Sequence, residues 1–271
     1  MREYHRPETI EQALKLLART DIDTVLIGGG THLAHKSCPA PEAVVDLSAL
    51  PLAYITIEGT VLRIGALTRL HELMNDSAVR VFAGGLVAEA ARLSGSSLLR
   101  NQATLAGTIL SPSGVELLST LLVLDAQVLL RTADGPITRH ISQIETEGCR
   151  RAILTEVVLS EPPSGWRIRR ERISRTPSDR PIVSVTAVAQ VMDESIAGCR
   201  IAVAGAELRP IRLRNLEIAL AGVPGRPEII DAACRKDSTL CEMQGSGAEY
   251  RSAMIPVLIS RALLGSSCRQ R

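Results

Sequence analysis

Aromatic poverty is the first constraint on this chain. Tyr4, Tyr54, Phe82, Trp166 and Tyr250 are its only rings among 271 residues, so the core must be built from Leu, Ile, Val and Ala. A ligand that needs a stacking platform has only these five candidates. The chain is otherwise ordinary: 45% hydrophobic and 22% charged residues exclude disordered and collagen-like classes. Its length admits one large domain or two to three small ones, burying roughly three quarters of the unfolded surface.

Charge excludes further classes. With 31 basic and 29 acidic residues the net charge is +2, and Lys15, Lys36 and Lys236 are the only lysines. The densest basic run, WRIRRERISR at 166–175, holds a single ring. It lacks the interleaved aromatics of a nucleic-acid surface and reads as a solvated strand face. No apolar stretch reaches the ~20 residues of a membrane helix, and MREYHRPETI has no apolar signal core. A cytoplasmic protein is expected, with neither a nucleic-acid nor a membrane partner. Cys38, Cys149, Cys199, Cys234, Cys241 and Cys268 form no CxxC pair, so reduced thiols are expected rather than a zinc or iron–sulfur site. His5, His32, His35, His71 and His140 have no metal-ligand pattern, and no metal is expected.

Along the chain, Thr9 and Gln12 make a capping box for a helix at about 9–19. Thr24-Val25-Leu26-Ile27 reads as a short buried strand running into GGGTHL, and a second strand at 43–47 closes a βαβ-like unit. Strands at 53–57 and 61–64 flank a Glu58-Gly59 turn, and helices are expected at 68–75, 79–93 and 114–125, the last begun by Ser113 or Gly114. The segment at 100–110, RNQATLAGTIL, reads as a loop, and an Asp134-Gly135 turn joins strands at 127–131 and 136–141. The boundary at 161–165, Glu-Pro-Pro-Ser-Gly, precedes a meander of strands at 166–174, 181–192 and 198–206 and helices at 212–221, 226–236 and 247–264. Strands followed by helices imply an α+β carboxy-terminal domain.

Two glycine-containing loops are the candidates for binding an anion. In Gly28-Gly29-Gly30-Thr31 the absent side chains would let backbone N–H groups converge, with the Thr31 hydroxyl beside them. The spacing matches neither a dinucleotide fingerprint nor a P-loop, and the triplet alone reads equally as a tight strand exit. The second loop is Thr104-Leu105-Ala106-Gly107-Thr108. Two such loops from different units could grip one long diphosphate cofactor between them.

In order along the chain, PETIEQALKLL (7–17), VLIGGGTHL (25–33), VVDLSAL (44–50), LRIGALTRLHEL (62–73), LLRNQATLAGT (98–108), SPSGVELLSTLLVLDAQVLL (111–130), RTPSDRPIVSV (175–185) and AEYRSAMIPVLISRAL (248–263) form a collinear set. This set resembles the FAD-binding medium subunit of the molybdenum hydroxylases, the family of xanthine and carbon monoxide dehydrogenases. The resemblance implies an α+β protein with a p-cresol methylhydroxylase-type FAD-binding fold of two subdomains, 1–55 and 56–164. A small carboxy-terminal domain, 165–271, would follow, a three-stranded antiparallel sheet with helices. FAD would be held non-covalently by Leu26, Ile27, Gly28, Gly29, Gly30, Thr31, His32 and Leu33, by Gly65 and Ala66, by Thr104, Gly107 and Thr108, and by Glu116. No residue of the chain is implied to be catalytic.

The implied partners are a molybdopterin-binding large subunit and a 2Fe-2S small subunit in a hetero-oligomer, with electrons passing from the iron–sulfur clusters through FAD to NAD or another acceptor. Four positions depart from the family pattern: His32 and Glu116 stand for Asp, Ala106 for Gly and Thr108 for Asn, with a short deletion before Glu116. Loss of three side-chain hydrogen bonds would remove ~1.5–4.5 kcal/mol of binding, about ten- to two-thousandfold in affinity. Weakened FAD binding is therefore expected, and a degenerate flavin domain acting as a non-redox scaffold is the alternative.

Overall fold

Short capped elements alternate from the first residues onward. The computed structural model describes residues 2–34, 40–112, 114–144, 151–176, 179–205, 208–241 and 248–265. His35, Lys36, Cys38, Ser113, Cys149 and Cys268, weighed above, lie outside the described residues, as does the side chain of Cys241. The Thr9 hydroxyl accepts from Gln12 N–H at 3.2 Å and starts α1 (Ile10–Leu17). α1 lies between β1 (Glu3–His5) and β2 (Thr24–Ile27), and with β3 (Ala43–Asp46) the strands form a parallel sheet of order β1-β3-β2.

β4 (Ile55–Glu58) and β5 (Val61–Gly65) pair as the expected hairpin. Next come α2 (Leu70–Asn75), α3 (Ser77–Val81) and α4 (Leu86–Leu93). The single helix expected at 79–93 is broken, because Ala83, Gly84 and Gly85 take φ of 48°, 63° and 78°. The left-handed turn leaves the helical path while burying Phe82, which is 2% exposed. Residues 100–110, expected as a loop, are largely helical: α5 (Ser97–Gln102) and α6 (Leu105–Leu110) are capped by Ser96 and Thr104. α7 (Val115–Val123) follows, and all nine of its residues are buried.

β6 (Gln127–Thr132) and β7 (Gly135–His140) turn at Asp134-Gly135, and with β8 (Ile153–Ser160) they complete an antiparallel sheet of order β4-β5-β8-β6-β7. Sequence periodicity missed β8. It is near-continuously buried, so it lacks the alternation of a half-solvated strand.

The carboxy-terminal sheet has four antiparallel strands where three were expected: β9 (Arg167–Ile173), β10 (Val183–Met192), β11 (Ser195–Gly205) and β12 (Leu208–Arg212), in order β12-β11-β10-β9. β12 carries Pro210, which a strand tolerates at a sheet edge, where β12 lies. α8 (Arg214–Leu220), α9 (Pro227–Cys234), α10 (Ser238–Cys241) and α11 (Ala248–Leu264) follow, with α8, α9 and α11 sharing one apolar core with this sheet. Among the described residues no helix is long and apolar enough to cross a membrane.

The sheet's other face joins the main core, to which it contributes Ile168, Val188 and Ala202. Here the reading of 166–175 as a solvated strand face is corrected. Arg167 and Arg169 are exposed, but Arg170 is 1% exposed at its side chain, with Nε 3.2 Å from Glu116 Oε2. Burial pulls the Arg170 pKa down, opposed by Glu116 and Glu89. A second cluster joins the same parts. Asp125 meets Arg212, Arg200 at 3.0 Å and His140 at 3.2 Å.

Burial alone would raise the pKa of Asp125, but Arg212 and then Arg200 outweigh it and hold the carboxyl below its usual range. Because the folded-state pKa is depressed, this stabilisation is present above about pH 4 and lost as pH falls through the folded value. Asp125→Asn should cost about 1–2 kcal/mol near neutrality. Thermal melts across acidic pH should show wild type and variant converging; a constant gap would contradict the assignment.

Candidate functional site

Both glycine loops meet at one place. β2 delivers Gly28 and Gly29 directly onto the segment between α5 and α6. A Cβ on Gly29 would lie 1.7 Å from the Gln102 carbonyl oxygen, and one on Gly28 would lie 2.8 Å from Thr104 Oγ1 and 3.1 Å from Leu67 Cδ2. Real Cβ atoms do not approach a backbone carbonyl as closely as at Gly29, so only glycine permits that contact, while at Gly28 a Cβ would displace the Thr104 side chain. The loop then turns, with Ala34 N–H donating to the Gly30 carbonyl at 3.1 Å.

The two loops differ in what they leave available. Among the described residues, the amides of Gly29, Gly30 and Thr31 make no hydrogen bond. In the second loop Leu105 N–H donates to Thr68 O at 2.8 Å, Ala106 N–H to Ala66 O at 2.9 Å and Gly107 N–H to Thr104 Oγ1 at 3.3 Å. The buried Thr108 hydroxyl donates to Thr104 O at 2.8 Å. The first loop therefore presents unpaired backbone donors, whereas the second closes on itself. Backbone amides without an acceptor among the described residues suit an anion such as a diphosphate, so the residues present fit that part of the flavin cofactor the resemblance implies.

The remaining predicted residues fall into three groups. Leu26, Ile27, Thr31 and Leu33 are half-buried beside the glycines, and His32 is exposed. Gly65 and Ala66 lie beneath the second loop with their backbone groups engaged: Gly65 N–H donates to Tyr54 O at 2.9 Å, Ala66 N–H to Thr155 O at 3.0 Å, and Ala66 O accepts from Ala106. Glu116 is not free to meet a ligand at the loops as the others are. Its carboxylate is held by Arg170, by Arg172 at 3.2 Å and by Ser184, whose hydroxyl donates at 3.1 Å.

Sequence reasoning missed several residues that shape this region. Gln102 and Leu67 close on the glycines, and Thr68 links to Tyr54 through its hydroxyl, accepting at 3.1 Å and donating at 2.9 Å. The usable signal was Gly28-Gly29 itself, since two adjacent positions without side chains mark a close backbone approach. Beside Gly65, the Tyr54 hydroxyl donates to Glu156 at 2.7 Å, and Arg63 donates to the same carboxylate at 2.8 Å. Burial, and then Glu156, push the Tyr54 pKa up to about 12. Of the other rings, Phe82 is sealed in the core, and Trp166 carries the Arg200 guanidinium 5.4 Å from its centroid. Arg100 ties down the turn before α5 through the carbonyls of Arg92 at 3.0 Å and Gly95 at 2.5 Å.

The chain is similar to known proteins over most of its length. Residues 1–159 match the model described as the FAD binding domain in molybdopterin dehydrogenase, and 171–266 match the CO dehydrogenase flavoprotein C-terminal domain. The nicotine 6-hydroxylase medium subunit of Paenarthrobacter nicotinovorans is 28% identical, over 98% of this chain and 97% of that one. The carbon monoxide dehydrogenase medium chain of Hydrogenophaga pseudoflava is 24% identical, over 96% and 95%. A solved carbon monoxide dehydrogenase from the same organism superposes with a TM-score of 0.84 at 24% identity, covering 96% of this chain and 95% of that one, which establishes the fold.

Gly29→Ala should force the two loops apart and cost about 1–3 kcal/mol. Thr31→Ala, without such a contact, should stay within about 0.5 kcal/mol of wild type. Urea denaturation of both variants checks the pair, and equal stabilities would contradict the loop contact.

Proposed function

The chain belongs to the family of FAD-binding domains of molybdopterin dehydrogenases, and on that premise we propose that it takes electrons from the iron–sulfur clusters of a partner subunit and passes them through FAD to NAD or another acceptor. As a medium subunit of a molybdenum hydroxylase-type dehydrogenase it is an oxidoreductase component. The observation that carries the cofactor assignment is the run of amides at Gly29, Gly30 and Thr31, which has no acceptor among the described residues and is held against the second loop by glycine contacts.

These amides would bind the pyrophosphate. Thr104, whose hydroxyl accepts from Gly107 N–H, would form with Gly107 the surface opposite these amides. Leu26, Ile27 and Leu33 would supply aliphatic cover where the chain has few rings to stack, and His32 is assigned no covalent bond. When bound, FAD lets electrons arriving singly leave as a pair; this chain positions it and excludes water around it. The other members of the complex would be a molybdopterin-binding large subunit and a 2Fe-2S small subunit, in the cytoplasm. The division into units 1–55, 56–164 and 165–271 is part of the same proposal.

A non-redox scaffold is the second reading, favoured by the second loop. Its amides and the Thr108 hydroxyl are already engaged within the protein, which leaves fewer donors for a cofactor.

Titration calorimetry of the full chain with FAD separates the two. The flavin reading predicts saturable heat with a micromolar or tighter Kd and a bound flavin reducible by the partner subunits. No saturable heat under excess FAD, with subunit assembly retained, would favour the scaffold.

A further inference from the structure

We propose that Glu116 is a positioning residue through which the carboxy-terminal sheet sets the geometry, and so the affinity, of the flavin cleft. The inference rests on the flavin reading above and gives Glu116 a role other than touching the cofactor. Glu116 is 3% exposed in the first turn of α7, gripped by Arg170 and Arg172 from β9 and Ser184 from β10. Arg170 also reaches Glu89 of α4 at 3.3 Å, the Glu116 carbonyl at 3.4 Å and the Thr120 hydroxyl, so one buried guanidinium clamps two helices to the sheet. Close by, Arg180 donates to the Pro112 carbonyl at 2.7 Å and holds the connection between α6 and α7.

This grip continues to the cleft through contacts with no slack. Gly114, just before α7, sits against α6 so tightly that a Cβ there would lie 1.9 Å from the Thr108 carbonyl oxygen. Thr108 donates to the Thr104 carbonyl, and Thr104 Oγ1 sits against Gly28. A shift of α7 therefore moves Thr108, Thr104 and the surface facing the glycine loop. Close packing transmits such a shift rather than absorbing it. Removing one member of a buried ion cluster leaves the others without compensation, so α7 cannot keep its position unchanged.

The test measures FAD affinity of the full chain by flavin fluorescence, at a temperature where thermal melts show each variant folded. Couplings between contacting residues commonly correspond to roughly 2- to 100-fold. Glu116→Gln and Arg172→Gln are each expected to weaken FAD binding roughly tenfold. The double variant should be no weaker than the weaker single one, and the visible band of bound flavin should shift in all three. Should a charge variant fail to fold, Ser184→Ala and the surface variant Arg180→Ala carry the test, each weakening binding about twofold or more.

Weakened binding in Glu116→Gln with unchanged binding in Arg172→Gln, Ser184→Ala and Arg180→Ala would overturn the proposal, since Glu116 would then touch the cofactor itself. Unchanged affinity in every variant would also overturn it, reducing the cluster to a domain fastener. Absence of FAD binding by wild type is a different failure. It would remove the flavin reading, and the proposal with it.

Discussion

The close approach of Gly29 to the Gln102 carbonyl is the contact on which the rest of the site depends. It joins an edge strand of the parallel amino-terminal sheet to the helical segment carrying the second loop. Neither loop alone encloses anything. Pressed together, they set Gly28 against Thr104 and Leu67, and Leu67 itself belongs to the apolar cluster built by α1, β3 and the segment after it. A side chain at Gly29 would have to be accommodated by moving the Gln102 backbone, and one at Gly28 by displacing the Thr104 and Leu67 side chains, both of which a close-packed interior resists.

That contact also explains the division of labour between the loops. The second loop is a short capped helix whose amides are tied to Thr68, Ala66 and Thr104, so it acts as a rigid floor. The first loop, whose glycine and threonine amides have no acceptor among the described residues, would supply the donors on the proposed reading. Affinity for an anionic cofactor then rests mainly on backbone groups, which substitution of side chains leaves intact. The departures at Ala106 and Thr108 fall on the floor, where Thr108 has an internal acceptor for its hydroxyl.

Much of this was legible in the residues. The strand at 24–27, the capped first helix, the two hairpins and the first glycine loop follow from local periodicity and turn chemistry, whereas the second glycine segment, expected as a loop, is the start of α6. The missed elements share a physical cause: tertiary context overrode the local signal. β8 is buried on both faces and lacks alternation, and β12 contains a proline that only its edge position permits. The helix expected at 79–93 is interrupted by consecutive left-handed residues. Arg170 looked like one arginine of a solvated run, and nothing in the run marks it as the one facing Glu116. Glu116 itself was readable as a first-turn carboxylate, but its partners come from strands more than fifty positions away in sequence. The poverty in rings, first a statement about the core, is also a statement about the candidate site. Phe82 and Trp166 are committed to packing, and the Tyr54 hydroxyl to Glu156.

The central claim is that unpaired amides of the first loop, rather than the donors of the second, bind the cofactor's diphosphate. Residue-resolved amide NMR of the full chain titrated with FAD measures this directly. The account predicts saturable downfield shifts of the Gly29, Gly30 and Thr31 amides, reproduced by ADP, with the Leu105, Ala106 and Gly107 amides changing little. Shifts concentrated at Leu105, Ala106 and Gly107, with the first loop silent, would contradict it.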